Sequence, residues 1–206
     1  MRGRLICLEG GEGAGKSTAM RVVRETLEQA GRKTLSTREP GGTPAAEKIR
    51  HLLLSTETGD LDPISELLLM FAARRENVIQ IIEPALAQGV DVICDRFTEA
   101  SHAYQGGGRE LGPEPVNQLA SIVHPDLRPD LVLLLDVPVE VGLQRIQSRK
   151  DGPDRFESDR GEFLMRVRQT YLERAQQQDY FAVIDATVDQ ASVAEQIRRV
   201  IRERLA

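Results

Sequence analysis

A glycine-rich stretch near the start of the chain constrains the fold more than any other feature. Residues 10–17 read Gly-Gly-Glu-Gly-Ala-Gly-Lys-Ser and match the pattern G-x-x-x-x-G-K-[ST]. The stretch follows an apolar, strand-like run at residues 5–8 and precedes a helical periodicity that begins near Lys16. When such a loop follows a strand and precedes a helix, its glycines allow a tight turn. The backbone N–H groups and the helix N-terminus then point toward one phosphate-binding position. A turn that only joins strand to helix is the alternative, but such a turn has no need for Lys16 or Ser17.

Alternating strand-like and helix-like segments extend this unit along the chain. Strand-like runs occur at residues 5–8, 33–37, 90–94, 131–137 and 181–184. The longest helical segment, residues 61–87, is predicted to begin near Asp62-Pro63 and to bend or end near Pro84. Because alternation of this kind predicts a parallel sheet covered by helices on both faces, we expect one domain with a three-layer α/β fold and a five-stranded parallel sheet.

Composition excludes several other classes of protein. The chain has 206 residues, 27 basic and 32 acidic side chains and a net charge of −5, so it lacks the basic excess that binds a nucleic-acid backbone. No apolar run approaches the roughly 18 residues of a membrane span, and we expect a cytoplasmic protein with no membrane partner. Cys7 and Cys94 lie in apolar runs typical of buried side chains rather than of a redox pair, and the three histidines lack zinc-ligand spacing.

The residues around the glycine loop predict a site for a nucleoside triphosphate and Mg²⁺. Lys16 adds a positive charge, and Ser17 adds a hydroxyl that suits Mg²⁺. Asp95 follows the run at residues 90–94, and an acidic residue at the carboxyl end of a buried strand is a typical Mg²⁺ ligand. Arg96 suits a phosphate on the acceptor, with a structural ion pair as the alternative. The metal ligands are predicted to be Ser17 and Asp95, and the triphosphate-binding residues Gly10, Gly11, Glu12, Gly13, Ala14, Gly15, Lys16, Ser17 and Thr18.

Five ordered blocks of sequence carry a resemblance to a known family. They are residues 8–10 leading into the glycine loop, 38–43, 69–75, 95–106 and an arginine-rich stretch at 145–160. Through these blocks the chain closely resembles the thymidylate kinase family from residue 8 to about residue 175. The resemblance implies the P-loop nucleoside monophosphate kinase fold, transfer of the ATP γ-phosphoryl group to dTMP with Mg²⁺, and a homodimer. The apolar side of segment 61–87 is richer than one sheet face requires and is the candidate interface. Two alternatives stay open: a kinase for another nucleoside or nucleotide, and a non-catalytic ATP-dependent switch.

Two residue pairs at four-residue spacing are candidates for reading the acceptor base. Phe71 and Arg75 share a helical face, so the ring could stack on a pyrimidine and the guanidinium could donate to a base carbonyl. A core phenylalanine beside a surface arginine is the alternative. The family commonly has an Asp before that arginine where this chain has Arg74, which leaves open which arginine faces the site, although spacing favours Arg75. Ser101 and Gln105 offer hydroxyl and amide groups to the base edge, with capping or packing as the alternative.

The resemblance implies further contacts with the acceptor. The Tyr104 ring is expected to crowd the sugar 2′ position and favour deoxyribose. Glu12 is expected to reach the 3′-hydroxyl, and Glu39 and Arg50 to line the phosphate side.

The arginine-rich stretch at residues 145–160 is predicted to be a lid that supplies catalytic charge. Some members of the family have an arginine where this chain has Ala14, and those with a small residue usually supply the arginine from the lid. Arg149 and Arg155 are the candidates, with Arg145 and Lys150 in support, and a solvated charged loop is the alternative. A guanidinium at the transferring phosphoryl group is worth roughly 10³ to 10⁵ in rate. The predicted catalytic residues are Lys16, Arg96, Arg149 and Arg155, with no general base because the acceptor oxygen is already an oxyanion.

Overall fold

One parallel sheet organises the part of the chain that the computed structural model describes, residues 2–147 and 161–205. Its five strands lie in the order β2-β3-β1-β4-β5. The strands are β1 Leu5–Glu9, β2 Thr34–Arg38, β3 Asp91–Asp95, β4 Leu131–Asp136 and β5 Phe181–Asp185. β1 and β4 are nearly continuous apolar runs that are buried on both faces, as central parallel strands must be. The predicted α/β fold with a five-stranded parallel sheet is therefore confirmed.

Helices cover both faces of this sheet and give the fold its three layers. On one face, α1 (Lys16–Gln29) and α9 (Gln190–Leu205) bury apolar stripes that include Val23, Leu27 and Ile197. On the other face, α8 (Glu162–Gln177) packs Val167 and Tyr171 into the larger core cluster. The remaining helices are α2 Pro44–Leu54, α3 Pro63–Asn77, α4 Glu83–Ala87, α5 Thr98–Ser101, α6 Glu114–Val123 and α7 Val139–Gln147.

The long segment predicted at residues 61–87 is helical but changes type before Pro84. The Asp62 side chain accepts from the N–H groups of Ile64 and Ser65, which confirms the predicted start of α3. Between α3 and α4, residues Val78–Ile82 form a turn of π-helix. Because Pro84 has no N–H and its ring crowds the carbonyl four residues earlier, the regular α-helical hydrogen-bond ladder cannot run through it unchanged.

Two other sequence predictions can be compared with the fold. Cys7 and Cys94 lie opposite each other on β1 and β3, both fully buried and without a disulfide, which confirms their prediction as core residues. Residues 145–147 belong to the end of α7, so the predicted lid at 145–160 begins in helix; its residues 148–160 lie outside the described part of the chain. Over the described residues, no helix combines the length and apolar character needed to cross a membrane.

Candidate active site

A cleft of about 200 Å³, here called the main cleft, opens at the carboxyl edge of the sheet. Because parallel strands end at the same edge, the segments that follow β1, β2 and β3 all reach it, and α3 closes one side. The residues that line it include Glu12, Lys16, Arg38, Glu39, Arg50, Met70, Arg74, Asp95, Arg96, Phe97, Ser101, Tyr104 and Gln105. The chain therefore brings residues from four of the five sequence blocks to one place.

The loop between β1 and α1 depends on its glycines. Gly10, Gly13 and Gly15 have positive φ angles of 134°, 73° and 94°. A Cβ atom on Gly10 would come within 2.4 Å of the Leu135 carbonyl oxygen, and one on Gly13 within 2.2 Å of the Gly142 carbonyl oxygen. Gly15 provides no side-chain cap for α1, so the first N–H groups of that helix are left for a ligand.

Lys16 and Glu12 place opposite charges at the mouth of this loop. Lys16 Nζ donates to the carbonyl oxygens of Gly10 and Gly11 at 3.2 and 3.1 Å. Burial lowers the pKa of Lys16, and the charge of Arg96 lowers it further, while Glu12 acts in the opposite direction. Although burial acts to raise the pKa of Glu12, the charges of Arg96 and Lys16 lower it to about 2. Glu12 is therefore a carboxylate between two cations at neutral pH.

Three side chains hold Arg96 in the main cleft. Its φ of 69° lies in the left-handed region, which is uncommon for a residue other than glycine. The guanidinium donates to the hydroxyl oxygens of Tyr171 at 3.2 Å and Tyr104 at 2.9 Å, and it forms an ion pair with Glu12. The ion pair that was the alternative for Arg96 therefore exists, and its partner belongs to the glycine loop.

Glu9 contacts two of the groups that position Arg96, and the sequence analysis did not identify it. This last residue of β1 is fully buried, accepts from the Phe97 N–H at 2.8 Å and accepts from the Tyr171 hydroxyl at 2.7 Å. Burial raises the pKa of Glu9 to about 7, against the opposing charge of Arg96. Glu9 thus fixes both the backbone that follows Arg96 and the hydroxyl to which Arg96 donates. An acidic residue at the end of an apolar strand was the signal that could have identified it.

Arg74 is the buried cation on the opposite side of the main cleft. Its Nε donates to Glu39 at 2.6 Å, and its Nη2 donates to the Phe97 carbonyl at 3.1 Å and to Ser101 Oγ at 3.0 Å. The guanidinium also lies 4.3 Å from the centre of the Phe71 ring. Its remaining nitrogen, Nη1, is buried and has no hydrogen-bond partner among the described residues. A residue that lines the cleft therefore carries a donor with no acceptor among the described residues.

The structure contradicts the prediction that Phe71 and Arg75 face the site together. Arg75 is exposed and donates from Nη1 to the Val123 carbonyl at 2.7 Å, at the end of α6. Phe71 is buried with Val116 and Val123 in a separate core cluster beneath Arg74. One residue turns a helix by about 100°, and the pair at four-residue spacing that lines the cleft is Met70 and Arg74.

The other predicted acceptor residues reach the main cleft with partners already in place. Ser101 accepts from Arg74, and the Tyr104 hydroxyl donates to Glu12 at 3.1 Å. Glu39 is buried against Arg74, and Arg50 donates to the Pro40 carbonyl at 3.0 Å. Gln105 Nε2 donates at 2.8 Å to Glu66, a buried residue of α3 that the sequence reasoning did not identify.

The predicted metal ligands fit a divalent cation that is completed by phosphate and water oxygens. Asp95 ends β3 at the main cleft, and its Oδ1 is buried without a hydrogen-bond partner among the described residues. Ser17 is exposed in the first turn of α1. Among the described residues, no cluster of three or more His, Cys, Asp or Glu side chains could hold a metal alone. One carboxylate and one hydroxyl suit Mg²⁺, which keeps several non-protein ligands.

A second groove of about 410 Å³ lies on the outer side of the glycine loop. Ala14 and Thr18 line it with apolar residues of α9 and the segment before it. Arg145 also lines this groove, and its Nη1 donates to the Ala186 carbonyl at 3.0 Å. The lid candidates Arg149, Lys150 and Arg155 lie outside the described residues.

Comparison with known proteins decides which family combines this loop and this cleft. Residues 8–197 match the family model for thymidylate kinase. The chain belongs to the thymidylate kinase family. It is 48% identical over 204 residues to the thymidylate kinase of Methylobacillus flagellatus, covering 98% of each chain. It is 50% identical over 206 residues to the thymidylate kinase of Chromohalobacter salexigens, covering 99% of this chain and 97% of that one. The resemblance inferred from the five sequence blocks is confirmed at the level of the family.

Proposed function

We propose that the main cleft is the dTMP site of an enzyme that transfers the γ-phosphoryl group of ATP to dTMP, giving dTDP and ADP. The observation that carries this assignment is the buried Arg74 Nη1, a fixed donor with no acceptor among the described residues. A pyrimidine carbonyl oxygen supplies that acceptor. Met70, which is half-buried and four residues earlier on α3, offers an apolar surface to the same base.

The sugar and the 5′-phosphate lie between this base site and the glycine loop. Arg96 binds the phosphate, because it lines the main cleft and a planar guanidinium matches two phosphate oxygens. Arg50 and Glu39 line the same side. Tyr104 limits the room at the sugar 2′ position, and Glu12 reaches the 3′-hydroxyl beside it.

ATP binds with its phosphates in the glycine loop and its base in the groove beside Ala14 and Thr18. The loop N–H groups and Lys16 bind the phosphates, and Asp95 and Ser17 hold Mg²⁺. The bound cation neutralises charge on the transferring group. Transfer proceeds in line from ATP to the phosphate oxygen of dTMP, which needs no general base because it is already anionic. Lys16, Arg96 and a lid arginine, Arg149 or Arg155, supply the positive charge that the transition state requires.

The active protein is a homodimer that pairs through α2 and α3. Leu52, Ile64 and Leu68 are between 42% and 50% exposed, and Ile64 and Leu68 lie on one face of α3. Leu68→Glu should therefore yield a monomer in sedimentation equilibrium. Met165→Glu, which changes an equally exposed residue on α8, should leave the dimer intact.

A panel of acceptors tests the proposed activity. ADP release from ATP and Mg²⁺ is measured with dTMP, dCMP, thymidine and the ribose analogue of dTMP. We expect the highest kcat/KM with dTMP and a much lower value with the ribose analogue. A higher value for another acceptor would assign a different nucleotide or nucleoside kinase, and slow ATP hydrolysis that no acceptor changes would indicate a nucleotide-dependent switch.

A further inference from the structure

A buried ion pair between Glu66 and Arg109 contacts Gln105, one of the residues that line the main cleft. Glu66 on α3 is fully buried; its Oε1 accepts from Gln105 Nε2 at 2.8 Å, and its Oε2 pairs with Arg109 Nη2 at 3.4 Å. Gln105 belongs to the π-helical turn after α5 and lines the main cleft. Glu66 is not a lining residue of that cleft, and Gln105 is the lining residue that donates a hydrogen bond to it.

The hydrogen bonds of Glu66 determine which end of the Gln105 amide faces the ligand. Both Glu66 oxygens accept in the structure, Oε1 from Gln105 Nε2 and Oε2 from Arg109 Nη2, and an amide can donate only from its nitrogen. Gln105 must therefore direct its NH₂ group at Glu66. The amide oxygen is the atom that remains for a ligand in the cleft.

The main cleft then presents an ordered pair of hydrogen-bonding groups. Arg74 Nη1 is a donor without an acceptor among the described residues, and Gln105 Oε1 is an acceptor. Thymine and uracil have a carbonyl oxygen next to an N–H donor, which complements this pair. Cytosine has an amino donor next to a nitrogen acceptor, which reverses the pattern and sets donor against donor and acceptor against acceptor.

We propose that Glu66 is a positioning residue that fixes the orientation of the Gln105 amide and so makes the acceptor site selective for an imide base over an amino pyrimidine. This inference rests on the proposed binding of the acceptor base in the main cleft. Its consequence is that a residue without contact to the nucleotide sets the discrimination between dUMP and dCMP, which differ only at the base edge.

The substitution Glu66→Gln reverses the amide in a defined direction. Arg109 can donate only to the oxygen of the substituted side chain, so the NH₂ group of that side chain faces Gln105. The Gln105 amide oxygen then turns away from the cleft to accept from this NH₂ group. We expect the ratio of kcat/KM for dUMP to that for dCMP to fall by roughly tenfold to a hundredfold, the loss of one matched hydrogen bond and the gain of a mismatch. A purely structural role would lower both kcat/KM values equally and leave their ratio unchanged, which would overturn the proposal.

A double-mutant cycle tests whether Glu66 acts through Gln105. Gln105→Leu alone should lower the dUMP to dCMP ratio, and Glu66→Gln added to it should produce no further change. A further change would show that Glu66 acts by another route. If Glu66→Gln does not fold, Gln105→Leu still decides, because an unchanged ratio in that variant overturns the inference. A wild-type enzyme that phosphorylates dTMP without discriminating between dUMP and dCMP contradicts this inference alone, whereas no activity with any pyrimidine nucleotide contradicts the proposed function as well.

Discussion

On the acceptor side of the active site, side chains are fixed by other side chains, whereas the donor side is built mainly from backbone. Arg74 is held by Glu39 and Ser101 across the main cleft. On the donor side, Lys16 Nζ has hydrogen bonds only to two loop carbonyls, among the described residues, and the groups proposed to bind phosphate are N–H groups of the loop and α1. A triphosphate is common to many enzymes and can be bound by backbone alone. The acceptor must be distinguished from similar nucleotides, which requires side chains with fixed orientation.

The largest effect should come from Lys16, the cationic side chain of the glycine loop. Lys16→Ala should lower kcat by roughly a thousandfold or more, because a charge at the phosphates is lost in the transition state. The free energy of unfolding should change little, since among the described residues Lys16 donates hydrogen bonds only to loop carbonyls. Steady-state ADP release and urea unfolding measure the two effects. Lys33→Ala removes the same charge from an exposed position and should leave both values unchanged; a fully active Lys16→Ala variant would disprove the role of the loop.

The lid arginines should have the next largest effect, because the proposed mechanism assigns one of them the charge at the transferring phosphoryl group. Alanine at Arg149 or Arg155, whichever supplies the charge, should lower kcat by roughly a hundredfold to a thousandfold with little change in the KM for dTMP. Lysine at that position should restore only part of the rate, because it lacks the planar fork. Arg21→Ala, an exposed arginine on α1, is the control. Wild-type kcat in both alanine variants would show that the lid is a solvated loop.

Arg74 and Arg75 are neighbours on α3, but Arg74 is buried and Arg75 is exposed, so substitutions at the two positions should differ in effect. Arg74→Lys should lower kcat/KM for dTMP by roughly tenfold to a hundredfold, because lysine cannot keep three partners and also donate to the base. Arg75→Lys should change kcat/KM less than twofold, since Arg75 contacts only the end of α6 among the described residues. The same steady-state assay measures both variants. Equal effects, or a larger effect at Arg75, would indicate that Arg75, which the sequence spacing favours, contacts the base.

The smallest expected effect is a change in the free energy of unfolding with pH, caused by the buried carboxyl group of Glu9. Burial raises the pKa of Glu9 from 4.5 to about 7, so its neutral form stabilises the fold below about pH 4.5 and that contribution is lost as the pH rises through about 7. Between about pH 5 and pH 7.5, wild-type protein should therefore lose about 1–3 kcal/mol of unfolding free energy relative to Glu9→Gln. Urea unfolding at the two pH values measures the difference. Glu203→Gln, at an exposed position on α9, is the control and should parallel wild type, and a parallel Glu9→Gln variant would refute the raised pKa.

The glycine loop and the sheet could be predicted from sequence because both depend on local order. The loop is formed by consecutive residues, and each strand is a short apolar run between helical segments. The position of Arg74 could not be predicted, because it depends on the phase of α3 and on the packing of α6 against Phe71. Glu9 and Glu66 were missed for a related reason. Their partners Tyr171 and Gln105 are 162 and 39 residues away, so a lone acidic residue carries no sign of its role.

A crystal structure with dTMP bound tests the central claim most directly, since it shows which groups the nucleotide contacts. The account predicts the base beside Met70 with a carbonyl oxygen within hydrogen-bond distance of Arg74 Nη1, and the 5′-phosphate against Arg96. A nucleotide that lies in the groove beside Ala14 and Thr18, or a base that contacts Arg75 in place of Arg74, would contradict it.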